Sequence, residues 1–214
     1  VGAGVDKLVD RTVTGFVDEC SMESPAPGGG SVAALAGSLG AALASMVANL
    51  TVGKKGYDAV WEEMKEVAAK AQVLKEHFIS AVDRDTEAFN GVMACFRMPK
   101  STPEEKQARN DAIQEATKQA TMVPFEVLRA VPDALDLALL VAKKGNKNSA
   151  SDAGVAGAAL RAAAEGAWLN VRINLGGIED ESFKKRLTDE GKKILATVDE
   201  GADAVRRAVD AAIG

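Results

Sequence analysis

Phe78, Val82, Phe89, Val92 and Phe96 recur at helical spacing; at about 100° per residue all of them fall within about 40° of one direction. Asp85 lies in the middle of that stripe, whereas Glu87 points the opposite way and Asp83 lies well off it. A carboxylate on an apolar stripe needs hydrogen-bonding partners or a raised pKa. Asp85 is therefore either a structural acid paired with a lysine or arginine of a neighbouring helix, or a site group able to move a proton. A second polar cluster is GNKNSASDAG, Gly145 to Gly154. Its Asn146, Asn148, Ser149, Ser151 and Asp152 converge on one helix start, where free backbone N–H groups can receive a ligand carboxylate. Ser151 and Asp152 are equally ordinary cap and first-turn residues, worth roughly 1 kcal/mol each at most. Asn170, Arg172 and Asn174 alternate with Val171 and Ile173 beside Trp168, and either line a site or form a solvated helix end.

A third cluster is PAPGGGS, Pro25 to Ser31. It has neither the spacing of a P-loop nor that of a dinucleotide-binding loop, and no strand precedes it. Three residues without Cβ atoms let backbone come close to another helix or to a flat ligand. Other chemistries fail on inventory. The one histidine, His77, has Leu74 three positions before it, so the paired Glu-x-x-His motifs of a di-iron bundle are missing. No Cys/His zinc spacing and no nucleophile elbow for a Ser-His-Asp triad exist.

The elements that must position these residues are helices. The 214 residues suffice for one domain with a sizeable core. Net charge is −5 with a sequence pI near 5.1, which argues against nucleic acid or anionic lipid as partner. Cys20 and Cys95 both fall on apolar stripes, as reduced core thiols of a cytoplasmic protein would. The opening VGAGVDK has no methionine and no apolar run of signal-peptide length, and residues 1–4 are set aside as a processing or expression remnant. Val5 to Cys20 reads as an amphipathic helix. Ser31 is placed as N-cap of an uncharged segment ending at Leu50, in which Leu35, Leu39, Leu43, Val47 and Leu50 form a ridge and Ala33, Gly37, Ala41 and Ala48 a groove. That segment has the length of a membrane span. Its serines, asparagine and alanines instead mark the central helix of a bundle. Gly53 and Gly56 bracket Lys54-Lys55 as a basic helix end. A long helix follows from about Asp58 to Phe96, and the capping box of Thr102 and Glu105 with Pro103 starts another, which Pro124 and Pro132 should kink or break. Ser151 should cap a further helix to about Asn174, and a last one runs from about Glu181 to Ile213. The expectation is one all-α domain, a bundle of six to eight helices around the uncharged Ala/Gly-rich one.

PAPGGGSVAALAGSLGAALASMVANLTVGKKGY, DTEAFNGVM, GNKNSASDAGVA and LNVRINL together resemble the cyclodeaminase/methenyl-tetrahydrofolate cyclohydrolase family, over about Leu8 to Val209. The resemblance implies an all-α, usually homodimeric enzyme of folate one-carbon metabolism, needing no cofactor beyond its tetrahydrofolate substrate. One family reaction closes 5-formimino-tetrahydrofolate to the 5,10-methenyl compound with loss of ammonia; the other hydrolyses the methenyl compound to 10-formyl-tetrahydrofolate. It further implies that Asp85, Lys54 and Asp152 are the catalytic candidates: Asp85 as proton shuttle or pterin anchor, Lys54 as proton donor or charge stabiliser, Asp152 as part of an opposite wall. Pro27, Gly28, Gly29, Gly30, Ser31, Tyr57, Asn148, Ser151, Asn170 and Arg172 are the substrate-binding candidates. A stretch this long without a formiminotransferase domain favours the cyclohydrolase slightly, while a separate formiminotransferase as partner would suit the cyclodeaminase.

Overall fold

The computed structural model describes residues 7–24 and 26–214. The remnant assigned to residues 1–4 and the helical turn expected at Val5 lie outside the described residues. Among the described residues there are six α-helices: α1 (Val13–Cys20), α2 (Gly29–Asn49), α3 (Trp61–Phe96), α4 (Pro103–Lys144), α5 (Ala150–Leu175) and α6 (Glu181–Ile213). Short 3-10 turns precede α1, α3 and α5 at Leu8–Asp10, Asp58–Val60 and Lys147–Ser149, and no strand occurs among the described residues. One hydrophobic core joins all six helices.

The centre of that core is α2, between α3 and α5 with α4 behind. It is long and apolar enough to cross a membrane, but 61% of its most apolar stretch is buried inside the bundle. The buried face carries the small residues, among them Ala34, Gly37, Ala41, Ala44 and Ala48. Leu39 and Leu50 of the ridge are 55% and 49% exposed. The orientation has a packing reason: small side chains let two helices approach α2 closely, and leucines there would hold them off. A Cβ on Gly40 would stand 2.6 Å from Leu160 Cγ and 3.0 Å from the Ala156 carbonyl oxygen of α5.

Three serines of α2, seven residues apart, fix α3 against it. Ser31, Ser38 and Ser45 donate to the carbonyls of Val82 (2.9 Å), Lys75 (3.2 Å) and Ala68 (3.3 Å), which are also seven apart. The helices therefore run antiparallel, with a heptad register set by hydrogen bonds as well as by shape.

Several boundaries differ from the expected ones. The helix α2 begins with Gly28 at its N-cap, and Ser31 lies within the first turn because its hydroxyl is spent on α3. It ends at Asn49, so Lys54 and Lys55 sit in the following turns and not on a helix end. Gly53 and Gly56 are the left-handed residues of that loop, at φ 77° and 89°. Ser149 precedes α5 without a side-chain cap, and Ser151 is an exposed first-turn residue. Cys20 is exposed on the last turn of α1, a helix that buries only Phe16, and Cys95 is half-buried; both thiols are free.

Pro124 and Pro132 do not interrupt α4, which starts at the expected Thr102–Glu105 capping box and runs to Lys144. Each proline removes one backbone hydrogen bond, at a cost of about 3 kcal/mol in an isolated helix. The turns between them are held from three sides. Phe125, Leu128 and Val131 are fully buried, Glu126 pairs with Arg84 of α3 at 2.7 Å, and Arg129 lies over the Phe125 ring while binding Glu190 of α6 at 2.7 and 2.9 Å. Tertiary packing outweighs the local breaker.

Filling the α2–α5 contact should be costly. Gly40→Val places methyl groups against the Ala156 carbonyl and Leu160, and a stability loss of about 3 kcal/mol is expected from overpacking. Thermal unfolding that left the midpoint unchanged would show that the two helices are not in such close contact.

Candidate functional site

Where the serine ladder reaches the start of α2, Asp85 of α3 meets the first turn of that helix. The Ser31 hydroxyl lies 3.1 Å from Asp85 Oδ2, and its one proton is shared with the Val82 carbonyl; Thr86 Oγ1 is 3.3 Å away. The triple glycine is explained at this point. A Cβ on Gly30 would stand 2.2 Å from Asp85 Oδ1, so only glycine leaves room for the carboxylate, and a Cβ on Gly29 would stand 3.1 Å from the Asn170 amide nitrogen. The close approach foreseen for the glycines is to these two side chains.

Asp85 makes no ion pair among the described residues, so the structural pairing with a lysine or arginine is not what the fold provides. Burial pushes its pKa up from the ordinary carboxylate range, and the Ser31 hydroxyl and then the Ser31 backbone N–H pull it partly back. It opens into a cleft of about 380 Å³ between α3, α4 and α5, roofed by Gly28 and Gly29. Phe89, Val92, Met93 and Phe96 form an apolar wall, and Thr86, Thr117, Asn170 and Asn174 supply polar groups. Arg109 lies over the Phe96 ring at 5.4 Å and donates to the Phe96 carbonyl at 3.0 and 3.2 Å, which fixes that aromatic at the cleft mouth. Asn170 donates one N–H to the Gly166 carbonyl at 2.8 Å, leaving its second N–H and Oδ1 to face the cleft. The chemical offer is a desolvated carboxyl, two amides, two hydroxyls and a flat apolar wall. Among the described residues no three His, Cys, Asp or Glu side chains converge as metal ligands would.

The expected site residues thus divide into two groups. Asp85, Gly28, Gly29, Gly30, Ser31 and Asn170 surround or line this cleft, with Pro27 buried just before it. Arg172 is exposed on the opposite side of α5, since two positions turn a helix by about 200°. Lys54, Tyr57, Asn148, Ser151 and Asp152 lie at the far end of α2, about 30 Å away for a helix of its length. There the Tyr57 hydroxyl accepts from the Lys147 N–H at 3.1 Å, buried Thr51 accepts from the Asn146 N–H at 2.9 Å, and Asn146 Oδ1 accepts from the Asn148 N–H at 3.1 Å. The first two bonds clasp the turns after α2 to the segment leading into α5, and the third closes a turn within that segment. Lys54 is half-buried and makes no ion pair among the described residues. The cleft also contains Thr86, Met93 and Thr117, which sequence reasoning did not single out as site residues. Asn174, weighed beside Asn170 in the sequence as either a site residue or part of a solvated end, lines the cleft one turn further along the same face.

Fold and cleft define the class first: an all-α bundle with a carboxyl-bearing cleft at one end of its central helix. Residues 12–193 match the formiminotransferase-cyclodeaminase family, and the chain belongs to it. It is 43% identical to the methenyltetrahydrofolate cyclohydrolase of Methylorubrum extorquens over 187 residues, 87% of this chain and 90% of that protein. It is 38% identical to the formimidoyltransferase-cyclodeaminase of Mus musculus, covering 84% of this chain but 33% of that longer protein. The crystal structure of formiminotetrahydrofolate cyclodeaminase from Thermotoga maritima superposes with a TM-score of 0.86 at 31% identity, over 97% of this chain and all of the other.

Two measurements test the carboxyl environment. In Ser31→Ala the stabilising hydroxyl is gone, so the Asp85 pKa should rise further, read as a shifted carboxyl resonance in an NMR titration; an unmoved resonance would mean that Ser31 does not tune it. Because the native pKa is raised, the folded state holds the Asp85 proton more tightly than the unfolded one. Wild-type stability relative to Asp85→Asn should therefore fall as pH rises above the ordinary aspartate range through the raised native value, and stay level beyond it. Paired denaturant titrations across pH check the sign.

Proposed function

We propose that this chain acts on the one-carbon bridge between N5 and N10 of tetrahydrofolate, as a 5,10-methenyl-tetrahydrofolate cyclohydrolase. The observation that carries the reading is Asp85: a desolvated carboxyl without a protein cation, beside a flat apolar wall. The methenyl bridge is a delocalised cation on a flat ring system, so the substrate supplies the positive charge that the fold withholds from Asp85. Ionised Asp85 takes a proton from a water molecule as its oxygen bonds to the bridge carbon, giving a neutral tetrahedral adduct. It then returns that proton to N5 as the C–N5 bond breaks, and the remaining hydroxyl proton leaves to solvent as the formyl group forms on N10. A raised pKa suits both steps, because a shuttle works best when its pKa lies near the working pH. In this reading Asn170 and Asn174, which line the cleft, hold the polar edge of the pterin, and Phe89 and Phe96 contact its face. The reading needs no metal or redox cofactor, and it goes with residence in the cytoplasm.

The second reading is the cyclodeaminase reaction, in which N10 attacks the formimino carbon and ammonia leaves from the same kind of tetrahedral carbon. The wholly covered Thermotoga structure favours it, whereas the higher identity to the cyclohydrolase over nearly all of that protein favours the first. A separate formiminotransferase is the partner that the second reading calls for.

The test uses the methenyl chromophore. Purified protein should consume 5,10-methenyl-tetrahydrofolate above the uncatalysed rate; growth of the same absorbance from 5-formimino-tetrahydrofolate, with ammonia release, would select the second reading. Asp85→Asn should stay folded and lose about 10²–10⁴-fold in turnover, the usual contribution of a positioned acid or base. Full turnover in that variant removes Asp85 from the reaction.

A further inference from the structure

A threonine inside a helix commonly turns its hydroxyl proton back to the carbonyl four residues earlier. Thr117 and Thr121 of α4 and Thr197 of α6 do so, at 2.7, 2.7 and 3.3 Å. Thr86 of α3 is different. It donates to no carbonyl among the described residues, and the carbonyl four positions before it, that of Val82, receives the Ser31 hydroxyl instead at 2.9 Å. The Thr86 hydroxyl meets Ser31 Oγ at 3.3 Å, and Thr86 lines the Asp85 cleft. Of the two threonines there, Thr117 has its proton committed to the Ile113 carbonyl, so Thr86 carries the hydroxyl that is free to turn.

Asp85, Ser31 and Thr86 form a chain of oxygens, with 3.1 Å from Asp85 Oδ2 to Ser31 Oγ and 3.3 Å from Ser31 Oγ to Thr86 Oγ1. The carboxylate sets its direction. Ionised Asp85 draws the Ser31 proton, Ser31 then accepts from Thr86, and the lone pairs of Thr86 Oγ1 are left to accept. Both ends of the chain are now acceptors. They stand no more than about 6 Å apart, roughly two O–H···O bonds end to end. We propose that one water molecule closes this chain into a ring, donating to Asp85 and to Thr86, and that Thr86 is the residue that positions the water for attack. The inference rests on reading the Asp85 cleft as the site of methenyl hydrolysis. With both protons directed into the ring, the water turns its lone pairs outward to the bridge carbon. As the C–O bond forms, the C=N electron pair of the bridge cation moves onto nitrogen. One O–H bond breaks towards Asp85, and the proton facing Thr86 stays on the adduct. The contact of 3.3 Å is long for a hydroxyl pair, as catalytic hydrogen bonds are in a free enzyme before they tighten around substrate.

Thr86→Val keeps the shape of the side chain and removes the hydroxyl. With 5,10-methenyl-tetrahydrofolate as substrate, kcat should fall about 10²-fold, the scale of a misplaced reactant, while KM and the thermal midpoint stay put. Thr86→Ser should restore most of the loss. The two ends of the ring should also be coupled: Asp85→Asn/Thr86→Val should lose no more than Asp85→Asn alone, because without the base there is no oriented water left to lose. Full turnover in Thr86→Val, equal losses in the valine and serine variants, or a raised KM at unchanged kcat overturns the assignment. So do losses that multiply in the double variant, the mark of two independent perturbations. If the midpoint of Thr86→Val drops, Thr86→Ala takes its place in the same comparisons. Failure of the underlying reading shows separately. A wild type that leaves the methenyl compound unconsumed, or Asp85→Asn with full turnover, refutes the cleft as a hydrolytic site, whereas an inactive Asp85→Asn beside a fully active Thr86→Val refutes Thr86 alone.

Discussion

The ladder of Ser31, Ser38 and Ser45 against the carbonyls of Val82, Lys75 and Ala68 is the constraint from which the site follows. A hydroxyl can reach a carbonyl on a neighbouring helix only when the two backbones are close, and the alanines and glycines of α2 allow that closeness. Once the helices are close, the seven-residue spacing on both sides admits one register. A slip of α3 by a single residue would rotate its face by about 100° and take Asp85 off the first turn of α2.

The register also creates a tension. It drives a carboxylate into a desolvated position whose compensation among the described residues is one shared hydroxyl proton and the first-turn backbone of α2. A fold selected for stability alone would place an amide or an alkyl group there. Gly30 shows how closely the arrangement is made, because even a methyl group at that position would overlap the carboxylate oxygen. The strain is electrostatic.

Much of this was legible in the residues. Asp85 announced itself by interrupting an apolar stripe, and the helix start at Pro103 carried recognisable capping chemistry, Thr102 with Glu105. What stayed hidden depended on neighbours. The face of α2 could not be oriented, because a helix without charges has no amphipathic signal. Pro124 and Pro132 read as breakers because Phe125, Arg129 and Glu126 hold the intervening turns through α3, α6 and the core, contacts far away in sequence. Lys54 and Asp85 read as one site because sequence carries no distance: α2 is itself the spacer between them.

An uncharged helix of this length raises the question of what it avoids by having no charge. The inner face is covered by α3, α4 and α5, where a charge would be buried unpaired. That accounts for half of the circumference. The outer face is partly exposed, and in an isolated bundle lysine or glutamate would be tolerated there without cost. Nine residues line it from Val32 to Leu50, and of these only Asn49 is polar. The two faces share low polarity and differ in size: small residues pack inward, where neighbouring helices approach closely, and large ones face outward. The inner face positions Asp85, because its serines set the register of α3.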